Sequence, residues 1–243
     1  MSLSGNGINY EKRTFTENCR ESELQKGKLT EMSKITLEHL LPEQIEQRSF
    51  EIITEELGGR TFDPLEEPII KRVIHTTADF DYADNLVFTA GVVAHAHELL
   101  SNGACIVTDT KMAMAGINKT ALAKLGVEVF NFISDADVIA EAKRRGMTRS
   151  AIAMEKAARM ERPTIFAIGN APTALVRLYE LREEENYVPE LIIGVPVGFV
   201  NVVQAKELIL SAEVPSIIAR GRKGGSNVAA AIVNALMYQL TRK

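Results

Sequence analysis

The stretch KRVIHTTADF, residues 71–80, sets an imidazole, two hydroxyls and a carboxylate within five positions: His75, Thr76, Thr77 and Asp79. An unperturbed imidazole exchanges its proton near neutral pH, with a reference pKa of about 6.5. His75 is therefore a candidate general acid, base or hydrogen-bond donor. His95 and His97 stand two apart on a predicted helix and point in different directions. No H-E-x-x-H, C-x-x-C or carboxylate-rich loop supplies metal-ligand spacing, so no metal site is expected. No G-x-S-x-G elbow is present, and nothing local supports a Ser-His-Asp triad.

A second group of residues suits anions. In RGRKGGSNVAAAIVNAL, the glycine-rich backbone and Arg220, Arg222 and Lys223 precede a helix that starts near Ser226. Exposed N–H groups and the helix dipole favour negative charge there. In GNAPTALVRLYEL, Asn170 caps a helix and Pro172 fits its first turn. Neither loop has the Walker A spacing or the G-x-G-x-x-G fingerprint, so phosphate and carboxylate suit them equally. In RRGMTRSAIAMEKA, Gly146 ends one helix and Thr148 caps the next, which puts Arg149 in the first turn. A cation there opposes the dipole by ~0.3–1 kcal/mol, a cost that an ion pair or an anionic ligand offsets. On a predicted helix over 42–57, Ser49 shares a stripe with Ile45, Ile52 and Ile53, flanked by Arg48, and is expected on the inward face.

These groups need a scaffold. Short apolar runs at 72–76, 104–108, 127–132, 164–168, 190–195 and 215–219 read as buried strands. Helical patterns lie at about 90–101, 117–125, 135–145, 149–161, 171–184, 201–212 and 226–240. This alternation predicts a single α/β domain, a mainly parallel sheet with helices on both faces in three layers. Residues 1–31 are polar and lack apolar periodicity; they read as a disordered or added extension, with Met32 an alternative start and 32–243 the domain. In open α/β sheets ligands bind beyond the carboxyl ends of the strands. The expected ends carry His75–Asp79, Thr108, Asp109 and Lys111, Gly169 and Asn170, Pro196 and Gly198, and Gly221–Ser226. Five ends delivering polar or glycine-rich groups to one rim predict one large site.

The 243 residues are 46% apolar and 25% charged, with a net charge of −4, which argues against a general nucleic-acid binder. No apolar run reaches the roughly 20 residues of a membrane span, and no signal-peptide pattern is present. The two cysteines, Cys19 and Cys105, make no disulfide framework; Cys105 reads as a buried thiol, and a cytoplasmic location is expected.

Seven motifs in order carry a resemblance: RSF at 48–50, IHTTADF at 74–80, TDTKMAMAGI at 108–117, TRSA at 148–151, GNAPTAL at 169–175, GVPVGFV at 194–200 and GRKGGS at 221–226. The chain resembles, from about Ile35 to Leu240, the precorrin-8X methylmutases and their cobalt-precorrin-8 counterparts, from the aerobic and anaerobic routes of cobalamin biosynthesis. The resemblance implies an isomerase that moves a methyl group from ring carbon 11 to ring carbon 12 of a tetrapyrrole, usually described as a 1,5-sigmatropic shift. The product would be hydrogenobyrinic acid, or cobyrinic acid when cobalt is present. It implies no external methyl donor, no redox cofactor and no metal other than cobalt carried by the substrate. It further implies a homodimer with sites near the subunit interface, and neither nucleic acid nor membrane as partner. The matching histidine, His75, would protonate or hydrogen-bond a ring nitrogen, with Thr76 or Asp79 setting its tautomer. Ser49 and Arg149 match the family's pocket serine and arginine, and Arg149 would anchor a carboxylate. Arg48, Thr76, Asp109, Lys111, Ser150, Asn170, Thr173, Gly198, Gly224 and Ser226 complete the expected substrate contacts. The competing readings are a non-catalytic corrinoid carrier on the same fold, which would not need His75, and a nucleotide-binding enzyme, disfavoured by the missing fingerprints.

Overall fold

The computed structural model describes residue 38 and residues 40–242. The extension 1–31, Met32 and Cys19 lie outside the described residues. Backbone proximity divides the chain into Met1–Glu46 and Gln47–Lys243. In the first unit, the Gln44 N–H donates to the Leu41 carbonyl at 2.8 Å, and the Gln44 side chain accepts the Leu41 N–H at 3.1 Å. The second unit is the α/β domain.

In chain order the elements are α1 (Pro42–Leu57), α2 (Glu67–Thr77), α3 (Tyr82–Asn85), β1 (Leu86–Phe88), α4 (Val92–Ser101) and β2 (Cys105–Thr108). Then follow α5 (Lys111–Gly116), α6 (Lys119–Leu125), β3 (Val129–Phe130), α7 (Ala136–Arg145), α8 (Arg149–Ala158) and β4 (Thr164–Ile168). The last are α9 (Pro172–Glu185), β5 (Leu191–Gly194), α10 (Val202–Ser211), β6 (Ser216–Ala219) and α11 (Ser226–Thr241). The sheet order is β1-β6-β5-β4-β2-β3, with every pair parallel except β1 against β6.

Every residue of β2, β4, β5 and β6 is buried, as strands covered on both faces require. Neighbours along each strand point to opposite faces. Ile106, Ile165, Ile193 and Ile217 enter one core, with Ile69, Leu100, Ile232 and Leu236. Val107, Phe166, Ile192 and Ile218 enter the other, with Met154, Leu175, Leu178 and Ile209. Helices α2, α4, α5, α6 and α11 cover the first face, and α7–α10 the second. Each large side chain so buried contributes about 1.5–3 kcal/mol.

The run 72–76 is not a strand. Ile69, Ile70, Val73 and Ile74 are all buried at spacings of one, three and one, which form a helical stripe, and Pro68 fits the first turn of α2. Packing against α11 buries that stripe, and helix wins. The short elements α3, β1 and α5 also lie outside the expected pattern. The helix over 42–57 is present, but of its expected inward stripe only Ile53 is buried; Ile45 and Ile52 are exposed and Ser49 is half-buried. Cys105 is a buried free thiol.

Candidate active site

Helix α2 stops because Ala78 turns left-handed, φ 52° and ψ 31°, and its N–H donates to the Ile74 carbonyl at 2.7 Å. His75 thus stands exposed in the last turn of a helix, rather than at a strand end. It lines a cavity of about 290 Å³ with Ser49, Ile52, Ile53, Glu56, Ala78 and Phe80. Its ring stacks on Phe50, centroids 5.3 Å apart and planes 12° apart. Among the described residues the imidazole makes no hydrogen bond or ion pair. The Thr76 hydroxyl donates instead to the Arg72 carbonyl at 2.9 Å, as threonines in helices commonly do. Asp79 accepts from Lys223 at 2.6 Å, and that bond holds its carboxyl below the ordinary aspartate range. Neither residue touches the imidazole nitrogens, so neither sets the tautomer.

The Lys223 bond matters for position. Lys223 follows β6 and also meets Asp81 at 2.6 Å, which ties the end of α2 to the carboxyl rim of the sheet. The rim is then closed by bonds between successive loops. Gly198 N–H donates to the Arg222 carbonyl at 3.2 Å, and Gly225 N–H to that of Val195 at 2.9 Å. Gly224, at φ 158°, lies so close to the Val195 carbonyl that a Cβ would collide with it. A Cβ on Gly169 would sit 2.6 Å from the Ser226 Cα. Ser226 in turn bonds the Thr110 hydroxyl at 2.7 Å, and Thr110 caps α5 through Ala113 N–H at 3.1 Å.

Between β2 and β4 the strand order reverses, since the chain leaves β2 toward β3 and leaves β4 toward β5. Ligands favour such switch points. Here Asp109, 1% exposed, fills the position itself. Its carboxylate accepts the N–H groups of Gly169, Asn170 and Ala171 at 2.9, 2.8 and 2.7 Å. Burial pushes its pKa up, and these donors work against that rise. The backbone amides at the start of α9 are therefore satisfied from within. At the same end, Thr148 caps α8 and bonds the Thr173 hydroxyl at 2.8 Å, which sets Arg149 beside the Asn170 loop.

Arg149 is exposed and makes no hydrogen bond or ion pair among the described residues. Lys111, Asn170 and Thr173 are also exposed at this rim, while Ser150 is buried. Arg48 pairs with Glu51 at 3.5 Å and Glu55 at 4.0 Å on its own helix, away from the cavity lining. The structure thus brings His75 and Ser49 together, and separately gathers Asp109, Arg149, Asn170 and Thr173. The first pair stands on α1 and α2, the second group on α8, α9 and the loops after β2 and β4.

Three contributors escaped the sequence reading: Phe50, the Asp79–Lys223 tie and Lys206. Lys206 is fully buried on α10 and donates to the Gly221 and Lys223 carbonyls at 2.9 and 2.8 Å. Its spacing from Val202 and Ile209, four before and three after, already marks the inward face. Burial pulls its pKa down to about 8. The unfolded chain, with lysine near 10.4, then binds this proton more tightly than the folded one, so the group's penalty is complete below pH 8 and relieved as pH rises toward 10. In urea unfolding, the stability of the wild type relative to Lys206→Met should rise between pH 7.5 and pH 10. A difference that stays flat with pH would remove Lys206 from this role.

A mostly parallel sheet covered by helices on both faces, with polar and glycine-rich loops at its carboxyl ends, defines an open α/β domain of the class that binds ligands beyond its strand ends. The sequence model described as precorrin-8X methylmutase matches residues 44–239. Cobalt-precorrin-8 methylmutase of Salmonella typhimurium is 47% identical over 82% of this chain and 96% of its own length. That of Priestia megaterium is 44% identical over 85% and 91%. The crystal structure of precorrin-8X methylmutase from Thermus thermophilus superposes with a TM-score of 0.75 at 36% identity, covering 82% of this chain and 98% of that one. The chain belongs to the precorrin-8X methylmutase family, and is an isomerase of cobalamin biosynthesis.

Proposed function

We propose that this chain moves the methyl group on ring carbon 11 of a precorrin-8-type tetrapyrrole to ring carbon 12, with His75 donating a hydrogen bond or proton to a ring nitrogen. The carrying observation is that His75, exposed and with no hydrogen-bond partner among the described residues, lines a cavity with Ser49 and Glu56 next to the helix end that Lys223 ties to the loop after β6. The bond to carbon 11 breaks as the bond to carbon 12 forms, and no atom is gained or lost. Such a step needs no outside methyl donor or redox cofactor. Its barrier falls through held conformation and through a donor placed where charge develops. Ser49 lies against the same substrate edge. Arg149, with Lys111, Asn170 and Thr173 beside it, meets carboxylate side arms as charge-assisted hydrogen-bond donors. Asp109, Gly224 and Ser226 serve by shaping the rim, and Gly198 by admitting the chain between β5 and α10.

The names of the Salmonella and Priestia relatives favour the cobalt-containing substrate. Anaerobic incubation with the cobalt and metal-free forms, followed by absorption spectroscopy, tests the proposal, because the shift alters the conjugated system. Conversion of the cobalt form supports it; binding of both forms without conversion would reinstate the carrier reading.

We also infer a homodimer. Phe199 and Val200, 81 and 77% exposed on the loop between β5 and α10, and Met112, 71% exposed on α5, are apolar surface that a second copy would cover. Sedimentation should report twice the 26.7 kDa chain mass, and a fully active monomer would overturn it. Among the described residues no helix is long and apolar enough to cross a membrane. The cytoplasmic assignment rests on the biosynthetic family.

A further inference from the structure

We infer that Phe50 is a positioning residue for the reaction, the side chain that fixes the plane of the His75 imidazole. The inference rests on the reading of His75 as the donor. A catalytic histidine commonly has its ring set by a hydrogen bond to one nitrogen. His75 has none among the described residues, and the neighbours that would supply one, Thr76 and Asp79, are engaged elsewhere. What holds the ring is the near-parallel Phe50 face, 12° from coplanar. A stack restrains tilt and leaves both nitrogens for the substrate. Phe50 is itself held: the Arg72 guanidinium, one helical turn before His75, lies 4.6 Å from its ring centroid and also packs on Tyr238 at 5.3 Å. Phe50 and Ser49 are consecutive on α1, so one helix turn supplies both the restraint and a cavity wall. Among the described residues, Glu56 on α1 shares the cavity wall with His75, Arg72 on α2 lies over the Phe50 ring, and the Asp79–Lys223 pair follows the helix end.

The test compares Phe50→Leu, which keeps apolar bulk and loses the flat face, with Phe50→Tyr, which keeps the ring. Phe50→Leu should lower kcat by about 10- to 100-fold, as misplacing a catalytic group does, with KM changed by less than about threefold. Phe50→Tyr should restore kcat to within about threefold of the wild type. Independently of turnover, the His75 ring protons should lose their upfield ring-current shift in Phe50→Leu and keep it in Phe50→Tyr. Unchanged kcat in Phe50→Leu, or an unchanged His75 spectrum, would overturn the inference while leaving the His75 reading intact. An active His75→Ala variant would instead sink the reading on which it rests.

Discussion

His75→Ala is expected to lower kcat by about 10²–10⁴-fold, the usual contribution of a positioned acid or base. The same variant should melt within about 2 °C of the wild type, because substitutions of exposed side chains outside special features cost little. His75 is exposed and makes no hydrogen bond among the described residues; the substitution removes its stack on Phe50 and breaks no polar bond there. Product affinity should persist, since Arg149 and the rim loops are untouched. The combination separates chemistry from folding. Near-normal turnover would remove His75 from the mechanism, and a collapse in melting temperature would make the reduced rate uninformative about chemistry.

The second large effect is structural. Asp109→Ala removes the acceptor of the buried Gly169 and Ala171 N–H groups and of the half-buried Asn170 N–H. At about 1–3 kcal/mol for each unmet buried donor, the loss should reach roughly 3–5 kcal/mol, a large share of an ordinary domain's stability. Asp109→Asn keeps one acceptor oxygen but turns an amide toward the donors, and should fall between. Urea unfolding midpoints measure both. A loss below about 1 kcal/mol in Asp109→Ala would mean that water or substrate, and not this carboxylate, satisfies the switch-point amides. The site would then be open to a ligand carboxylate, as the sequence alone had implied.

Asp109 shows where reading a sequence stops. Its position after a buried strand marked it for the rim, but its partners lie 60 to 62 residues away, and no local pattern distinguishes a carboxylate that binds ligand from one that binds its own backbone. The five main parallel strands were legible because unbroken apolar runs bounded by turns have few alternatives. Strand β1 was not: three residues on a sheet edge carry too little pattern. In α2, Val73 and Ile74 taken with 72–76 alone read as strand; Ile69 and Ile70 add the spacing that turns the same residues into a helical stripe. The place of His75 near the sheet's carboxyl rim does not depend on that difference. A histidine at the end of an element is placed by where the element ends, and the Lys223 tie brings the end of α2 to the rim that a strand would have reached. In the RSF motif Phe50 is only a letter; its stack on His75 appears once α1 and α2 are set side by side.

The most direct measurement is a crystal structure of the protein with the rearranged corrin bound. A His75 ring nitrogen is expected within about 3.2 Å of a macrocycle nitrogen, and at least one carboxylate arm within hydrogen-bond reach of Arg149. A corrin seated on another face, with the imidazole out of reach of its nitrogens, would contradict the assignment of His75 as the donor.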